Sequence, residues 1–98
     1  MQPLSRPDRV EVLEPLAWAL AADGQAREAT RLLAVAARER EEMGVVLYPV
    51  DHPHHEKAME TARRALSEET FAASWTEGEA LSLDEAVARA LGEGNRES

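Results

Sequence analysis

The chain has no cysteine among its 98 residues, and only four of them are aromatic. Without cysteine neither a disulfide framework nor a thiolate metal site can form, and the composition fits a reducing cytoplasm. Because large side chains are scarce and alanine is frequent, we expect helices that approach one another closely through small side chains.

Basic residues are outnumbered by acidic ones, and long apolar runs are absent. Lysine and arginine number 11 against 19 aspartates and glutamates, which gives a net charge of −8. This charge repels phosphate backbones and anionic lipids, so we expect no direct contact with nucleic acid or membrane. No apolar run approaches the roughly 20 residues that cross a bilayer, and Met1 to Arg9 does not resemble a signal peptide. The expected location is the cytoplasm.

The length and the spacing of apolar residues predict one all-α domain of about five helices, arranged as antiparallel helical hairpins. We expect a flexible N-terminal arm over residues 1–7, a single helical domain over 8–91 and a frayed tail over 92–98.

The first helix is predicted to start with Asp8 as its N-cap and to end at Asp23 and Gly24. Pro15 leaves two alternatives, because proline costs about 3 kcal/mol inside a helix. Either the helix kinks there, or it begins near Leu13 with Pro15 in its first turn.

The second and third helices are predicted on either side of an extended connection. Apolar spacing places the second helix over Gln25 to Met43, closed by Gly44. The segment from Val45 to Pro53 contains β-branched residues and two prolines, which favour an extended chain. The third helix then runs to about Leu66. The residues expected to face inward are Ala58, Met59, Ala62, Ala65 and Leu66.

Two shorter helices follow. Ser67 is predicted to cap the fourth helix, which carries Phe71 and Trp75 on one face and is broken at Gly78. Ser82 and Glu85 have the capping-box spacing that opens a fifth helix.

The first hairpin resembles a tetratricopeptide repeat, a unit of about 34 residues that places a small residue on each helix and a glycine near the turn. The unit would run from about Val10 to Met43. The residues that carry this resemblance are Leu13, Leu16, Ala17, Leu20, Gly24, Ala29, Leu33 and Ala36. Leu13 stands where that family often has tryptophan, and Glu41 stands near the usual closing proline.

A broader resemblance covers nearly the whole chain. The stretches LLAVAAREREEMG (32–44) and EKAMETARRALSEETFAASWTEGEALSLDEAVARAL (56–91) look like the C-terminal tail of large bacterial LuxR/MalT-like ATP-binding regulators and related signalling proteins. In those proteins such a tail ends a tetratricopeptide array, which implies a scaffold, an interface or a sensor. This chain has no phosphate-binding glycine loop and no basic recognition helix, so neither ATPase nor DNA-binding activity is carried over.

The segment from Asp51 to Glu56 departs from that tail and holds three weak candidates for metal ligands, which are His52, His54 and His55. Imidazole and carboxylate groups suit zinc or nickel. Adjacent histidines point about 100° apart in a helix, so the segment reads first as a solvated helix N-terminus.

Trp18 is the leading candidate for an interface residue, together with Leu13 and Leu16. Its neighbours at helical spacing are mostly polar, and tryptophan is enriched among residues that dominate binding energy. The alternative is that Trp18 packs on the N-terminal arm or on a later helix of its own chain.

No residue has the setting of a catalytic group. The pairs Glu41–Glu42 and Glu68–Glu69 lie on exposed faces, and no serine has a recognisable base beside it. The sequence therefore predicts a module without enzymatic activity and without a cofactor, which binds a protein partner or forms a homodimer. Two rival predictions are a helical domain that senses a small molecule and a metal-dependent hydrolase built on the histidines.

Overall fold

The computed structural model describes residues 6–45 and 49–90, and within those ranges the chain is entirely helical, with five α-helices and one 3-10 turn. The all-α prediction is confirmed. The elements are α1 (Arg6–Ala22), α2 (Ala26–Met43), the 3-10 turn (Pro49–Asp51), α3 (His52–Ala65), α4 (Glu68–Glu79) and α5 (Leu83–Ala90).

Helix α1 begins two residues before the predicted N-cap Asp8, so Arg6 and Pro7 are helical rather than part of an arm. It then continues through Pro15, and the alternative of a start near Leu13 is wrong. Residues 1–5 and the predicted frayed tail at 92–98 lie outside the described residues.

Two glycines close the helices of the first hairpin, as the sequence predicts. Gly24 has φ 86° after α1, and Gly44 has φ 71° after α2, a left-handed conformation that glycine adopts at no steric cost. The short turn at 23–25 returns α2 along α1. Glu14 and Arg40 form an ion pair of 2.5 Å between the two helices, which confirms that they are antiparallel.

Helix α2 is the centre of the fold and contacts each of the other four helices. Its middle is buried on nearly every side, because Leu32, Leu33 and Val35 are all fully buried and no charged residue interrupts them. The contacts on it are made largely by alanine, as expected from the composition. The buried alanines are Ala17, Ala21, Ala26, Ala29, Ala34, Ala36, Ala58, Ala62 and Ala86.

The connection to α3 is shorter than predicted. The 3-10 turn at Pro49–Asp51 leads directly into α3 at His52, so the extended segment does not reach Pro53. Pro53 lies in the first turn of α3, where the missing N–H would have no helical partner in any case. Of the residues expected to face inward, Ala65 is exposed.

Helix α4 is capped as predicted but does not break at Gly78. The Ser67 hydroxyl accepts a hydrogen bond from the Thr70 N–H at 3.1 Å. Gly78 is buried within the last turn, and a Cβ atom added to it would lie 2.3 Å from the Arg31 carbonyl oxygen and 2.8 Å from the Ala34 Cβ. This glycine therefore permits the close approach of α4 to α2.

Arginines of α2 attach α4 and its C-terminal end. Arg31 pairs with Glu77 at 2.8 Å, and Arg38 donates to the carbonyl oxygens of Glu79 at 2.7 Å and Leu81 at 2.6 Å. Because the contacts advance along both segments together, α2 and α4 run in the same direction.

Helix α5 begins with the predicted capping box. The Glu85 N–H donates to the Ser82 hydroxyl at 3.0 Å, and the Ser82 N–H donates to the Glu85 carboxylate at 2.9 Å. Arg89 then reaches Glu28 of α2 at 3.1 Å. Helix α5 packs on both α1 and α2.

The second helix pair differs from the first. Helix α4 packs chiefly on α2 and only lightly on α3, so α3 and α4 do not repeat the close hairpin of α1 and α2. The structure is an all-α bundle around α2, and the assignment of tetratricopeptide repeats stays a prediction. In the described part of the chain, none of the helices is both long enough and apolar enough to cross a membrane.

We expect Gly78→Ala to destabilise the protein by about 1–3 kcal/mol, because the added methyl group meets backbone atoms that cannot move aside. At an ordinary helical position the same change stabilises by about 1 kcal/mol. Urea denaturation followed by circular dichroism measures the difference. The control is Ala72→Gly at an exposed site of the same helix, which should cost only about 1 kcal/mol through helix propensity. A more stable Gly78→Ala variant would show that α4 does not approach α2 this closely.

Candidate interaction surface

The outer face of α1 carries no charged side chain between Val12 and Ala22. Pro15, Ala19 and Ala22 are exposed, and Val12 and Leu16 at the edge are half-buried. At 3.6 residues per turn these five positions share an arc of roughly 120° on the helix surface. We name these five residues the α1 outer face.

Every other helix shows charged residues to the solvent. A surface helix ordinarily places polar and charged residues opposite its buried stripe, and only α1 departs from this rule among the described side chains. The exposed charged residues of the other helices are Arg27, Glu41 and Glu42 on α2, Glu56, Lys57, Glu60, Arg63 and Arg64 on α3, Glu68, Glu69, Glu77 and Glu79 on α4, and Asp84, Glu85 and Arg89 on α5.

The three residues predicted for an interface occupy different places. Leu13 is 0% exposed and lies in the core, so its side chain is not available to a partner and its assignment to an interface is wrong. Leu16 belongs to the α1 outer face. Trp18 lies on the other flank of α1, half-buried and packed against the core.

Trp18 contacts a later helix of its own chain, as one of the two sequence-based alternatives predicts. Its ring stacks on the exposed His54 of α3 with centroids 5.2 Å apart and planes 20° apart. The indole Nε1 is buried, and no described residue hydrogen-bonds to it. Because part of the ring stays accessible, its role as an interface anchor remains a prediction.

A polar cluster lies beside this stack, where α1, α2 and α3 meet. It contains the buried ion pair between Glu14 and Arg40, whose side chains are 8% and 14% exposed. His55 of α3 is half-buried nearby, and burial together with the charge of Arg40 lowers its pKa below the ordinary value of 6.5. Glu14 lies on α1 and Arg40 on α2, so this ion pair joins the two helices. Removing one partner would leave the other as an uncompensated buried charge.

The histidines do not form a metal site in the described part of the chain, where no three histidine, aspartate or glutamate side chains are grouped to hold a metal ion. His52 and His54 are exposed at the start of α3, whereas His55 is half-buried. The adjacent His54 and His55 thus point about 100° apart, as neighbouring helical positions require.

Two described grooves beside α2 are open to solvent and lined by charged and apolar residues in similar measure. One lies at the turn before α2 and is lined by charged residues together with the end of α3, and another lies between Arg27 and Arg31 of α2 and Glu69 and Glu77 of α4. Small-molecule sites are usually enclosed and mostly apolar. These grooves therefore give no support to the prediction of a small-molecule sensor.

Sequence reasoning identified Leu16 but missed Pro15, Ala19 and Ala22 as members of one surface. A signal was present, because α1 has a single charged residue, Glu14, from Val12 to Ala22. A surface helix of an acidic protein ordinarily carries several charged residues opposite its buried stripe.

The chain is similar to parts of two mycobacterial proteins named "Putative HTH-type transcriptional regulator", one from Mycobacterium tuberculosis and one from Mycobacterium bovis. Each is 36% identical over 91 residues, which cover 92% of this chain. The chain spans only about a tenth of the length of these relatives. No protein-family model matches the chain, and no solved structure matches it significantly. This helical chain is thus similar to a segment of proteins that carry a transcriptional-regulator name.

We expect the free energy of unfolding to decrease as the pH falls from about 7.5 to 5.5. The pKa of His55 is lowered in the folded state, so the unfolded chain binds more protons once the pH drops below 6.5. Urea denaturation at several pH values measures this slope. The variant His55→Gln should flatten it, whereas Lys57→Gln at an exposed site of the same helix should retain it. An equal slope in His55→Gln would contradict the assignment.

Proposed function

We propose that this chain is a non-catalytic protein-interaction or end-capping module of a bacterial transcriptional regulator, acting in the cytoplasm. The observation that carries the proposal is the uncharged α1 outer face on a chain of net charge −8. A partner can cover such a surface without desolvating a charged group, which favours a protein contact there.

The similarity to regulators supports the same proposal. The relatives are about ten times longer than the segment they share with this chain, so most of their functional parts lie elsewhere in them. A compact helical segment of this kind can contribute an interface without contributing chemistry.

The described side chains also favour binding over catalysis. The ionisable residues buried in the structure, Glu14 and Glu39, belong to ion pairs with Arg40 and Arg38. The Glu14–Arg40 pair joins α1 to α2 and the Glu39–Arg38 pair lies within α2, whereas a general acid or base needs a position beside a substrate.

The test is to graft this chain onto the Mycobacterium tuberculosis relative in place of the segment it matches. We expect deletion of that segment to reduce the regulator's occupancy of its genomic sites, and the graft to restore it, because the segment supplies an interface. Chromatin immunoprecipitation measures occupancy at equal protein abundance.

Three altered grafts make this test specific. Leu13→Asp places a charge in the core and should fail through unfolding. Ala19→Glu alters the α1 outer face of a folded module and should also fail, whereas Ala72→Glu on α4 should restore occupancy. Full restoration by the Ala19→Glu graft would show that this face is not the interface.

A further inference from the structure

We propose that residues 52–57, which we name the start of α3, form an acid-sensitive cover over Trp18. Protonation of His55 releases these residues from α1 and α2, while the rest of the helical bundle stays folded. The proposal concerns a change of conformation, so it does not depend on the interaction role proposed above.

The start of α3 is attached to the bundle by histidine side chains. His54 stacks on Trp18 of α1, with ring centroids 5.2 Å apart. His55 is the half-buried residue of this segment, and all its other residues are exposed. The first buried side chain of α3 is Ala58, which lies beyond the segment. Releasing residues 52–57 therefore exposes little apolar surface and costs less free energy than unfolding α2, whose middle is buried on nearly every side.

The docked position of His55 suits a neutral imidazole. Its Nδ1 atom is buried, and no hydrogen bond reaches it. A neutral imidazole has an N–H at only one of its two nitrogens, whereas an imidazolium has an N–H at both. A charged donor that is buried without an acceptor costs more free energy than a neutral nitrogen in the same place.

The charges near His55 act in the same direction. Burial and the positive charge of Arg40 on α2 are the largest causes that lower the pKa of His55, and His52 adds to them. Glu56 acts in the opposite sense and is outweighed. The carboxylate that α1 contributes, Glu14, is paired with Arg40. Releasing the start of α3 removes both the burial and the charge of Arg40, so the released form binds the proton more tightly.

The end of the helix adds to this effect. His52, His54 and His55 all lie in the first turn of α3, which contains no acidic residue, and the N-cap Asp51 makes no side-chain capping hydrogen bond. The N-terminus of a helix carries partial positive charge, so protonated histidines are disfavoured there. Protonation of His54 also strengthens its stack on Trp18, because a cation is attracted to the face of an indole. His55 decides the balance, because the charge that it gains is buried without a hydrogen bond.

Acid therefore shifts the equilibrium toward the released form. A histidine with the ordinary pKa of 6.5 when released, and a lower pKa when docked, raises the opening constant by at most about tenfold from pH 7.5 to 5.5. We expect a rise of about three- to tenfold. Trp18 is uncovered in the released form, because His54 leaves its ring.

Amide hydrogen exchange of the full chain, measured by NMR from pH 7.5 to 5.5 and corrected for intrinsic exchange rates, tests the proposal. The amides of residues 56–59 report on the start of α3, because they donate to the carbonyl oxygens of residues 52–55. Their protection should be at least about tenfold lower than that of residues 32–35 in α2 at every pH, which is the sign of a local opening. It should fall by a further three- to tenfold, in approximate terms, as the pH is lowered.

The side chain of Trp18 gives a second readout in the same spectra. Its Nε1–H is buried, so it should exchange through the same opening and lose protection in parallel with residues 56–59. A Trp18 Nε1–H whose protection does not follow those amides would show that the start of α3 is not its cover.

Two variants assign the response to His55. His55→Gln should remove most of the pH dependence of residues 56–59, because glutamine gains no proton in this range. Lys57→Gln at an exposed site of the same helix should retain it. Circular dichroism checks that both variants fold. Titration of the His55 ring in the unaltered chain is independent of the variants and should give a pKa below 6.5.

Three further results would overturn the proposal. The first is equal protection of residues 56–59 and 32–35, which would mean that α3 opens only when the whole bundle unfolds. The second is a pH response that His55→Gln retains. The third is protection of residues 56–59 that rises on acidification, which would mean that protonated His55 pairs with Glu14. None of these results bears on the interaction role, which the graft tests separately.

Discussion

The structure depends on the burial of helix α2 among four neighbours. A helix enclosed in this way must be apolar on nearly all sides, and its neighbours can reach it only through small side chains. Alanine supplies most of these contacts, and Gly78 permits the close approach of α4. Since a chain of this size has a thin core, stability rests on the fit of these contacts more than on the amount of apolar surface buried.

Arginine side chains add polar contacts between the same helices. In an acidic protein, Arg31 and Arg38 of α2 bind carboxylates and carbonyl oxygens of α4 and of the segment that follows it, and Arg40 pairs with Glu14 of α1. These three arginines are thus paired between helices, where they are only partly exposed. Among the described side chains, every helix except α1 then presents charged residues to the solvent, so the described part of α1 is left as the uncharged face.

Several features could be predicted because they are local. The serine caps at Ser67 and Ser82 and the glycines after α1 and α2 occur where the sequence indicates, since each depends on the geometry of only a few neighbouring residues. Gly78 was misread as a break because its role depends on the distance to α2. Leu13 was misread as an interface residue because its spacing is shared by buried and exposed apolar positions alike.

The sequence by itself determined that the chain is helical and where several of its helices are capped, because periodicity, capping and residue type act over a few positions. Only the tertiary structure decided which apolar stripe is buried. Both sides of α1 are apolar, and the choice between them depends on where α2, α3 and α5 pack. That choice buried Leu13 and left Pro15, Ala19 and Ala22 facing outward, since a helix can turn only one side toward its neighbours.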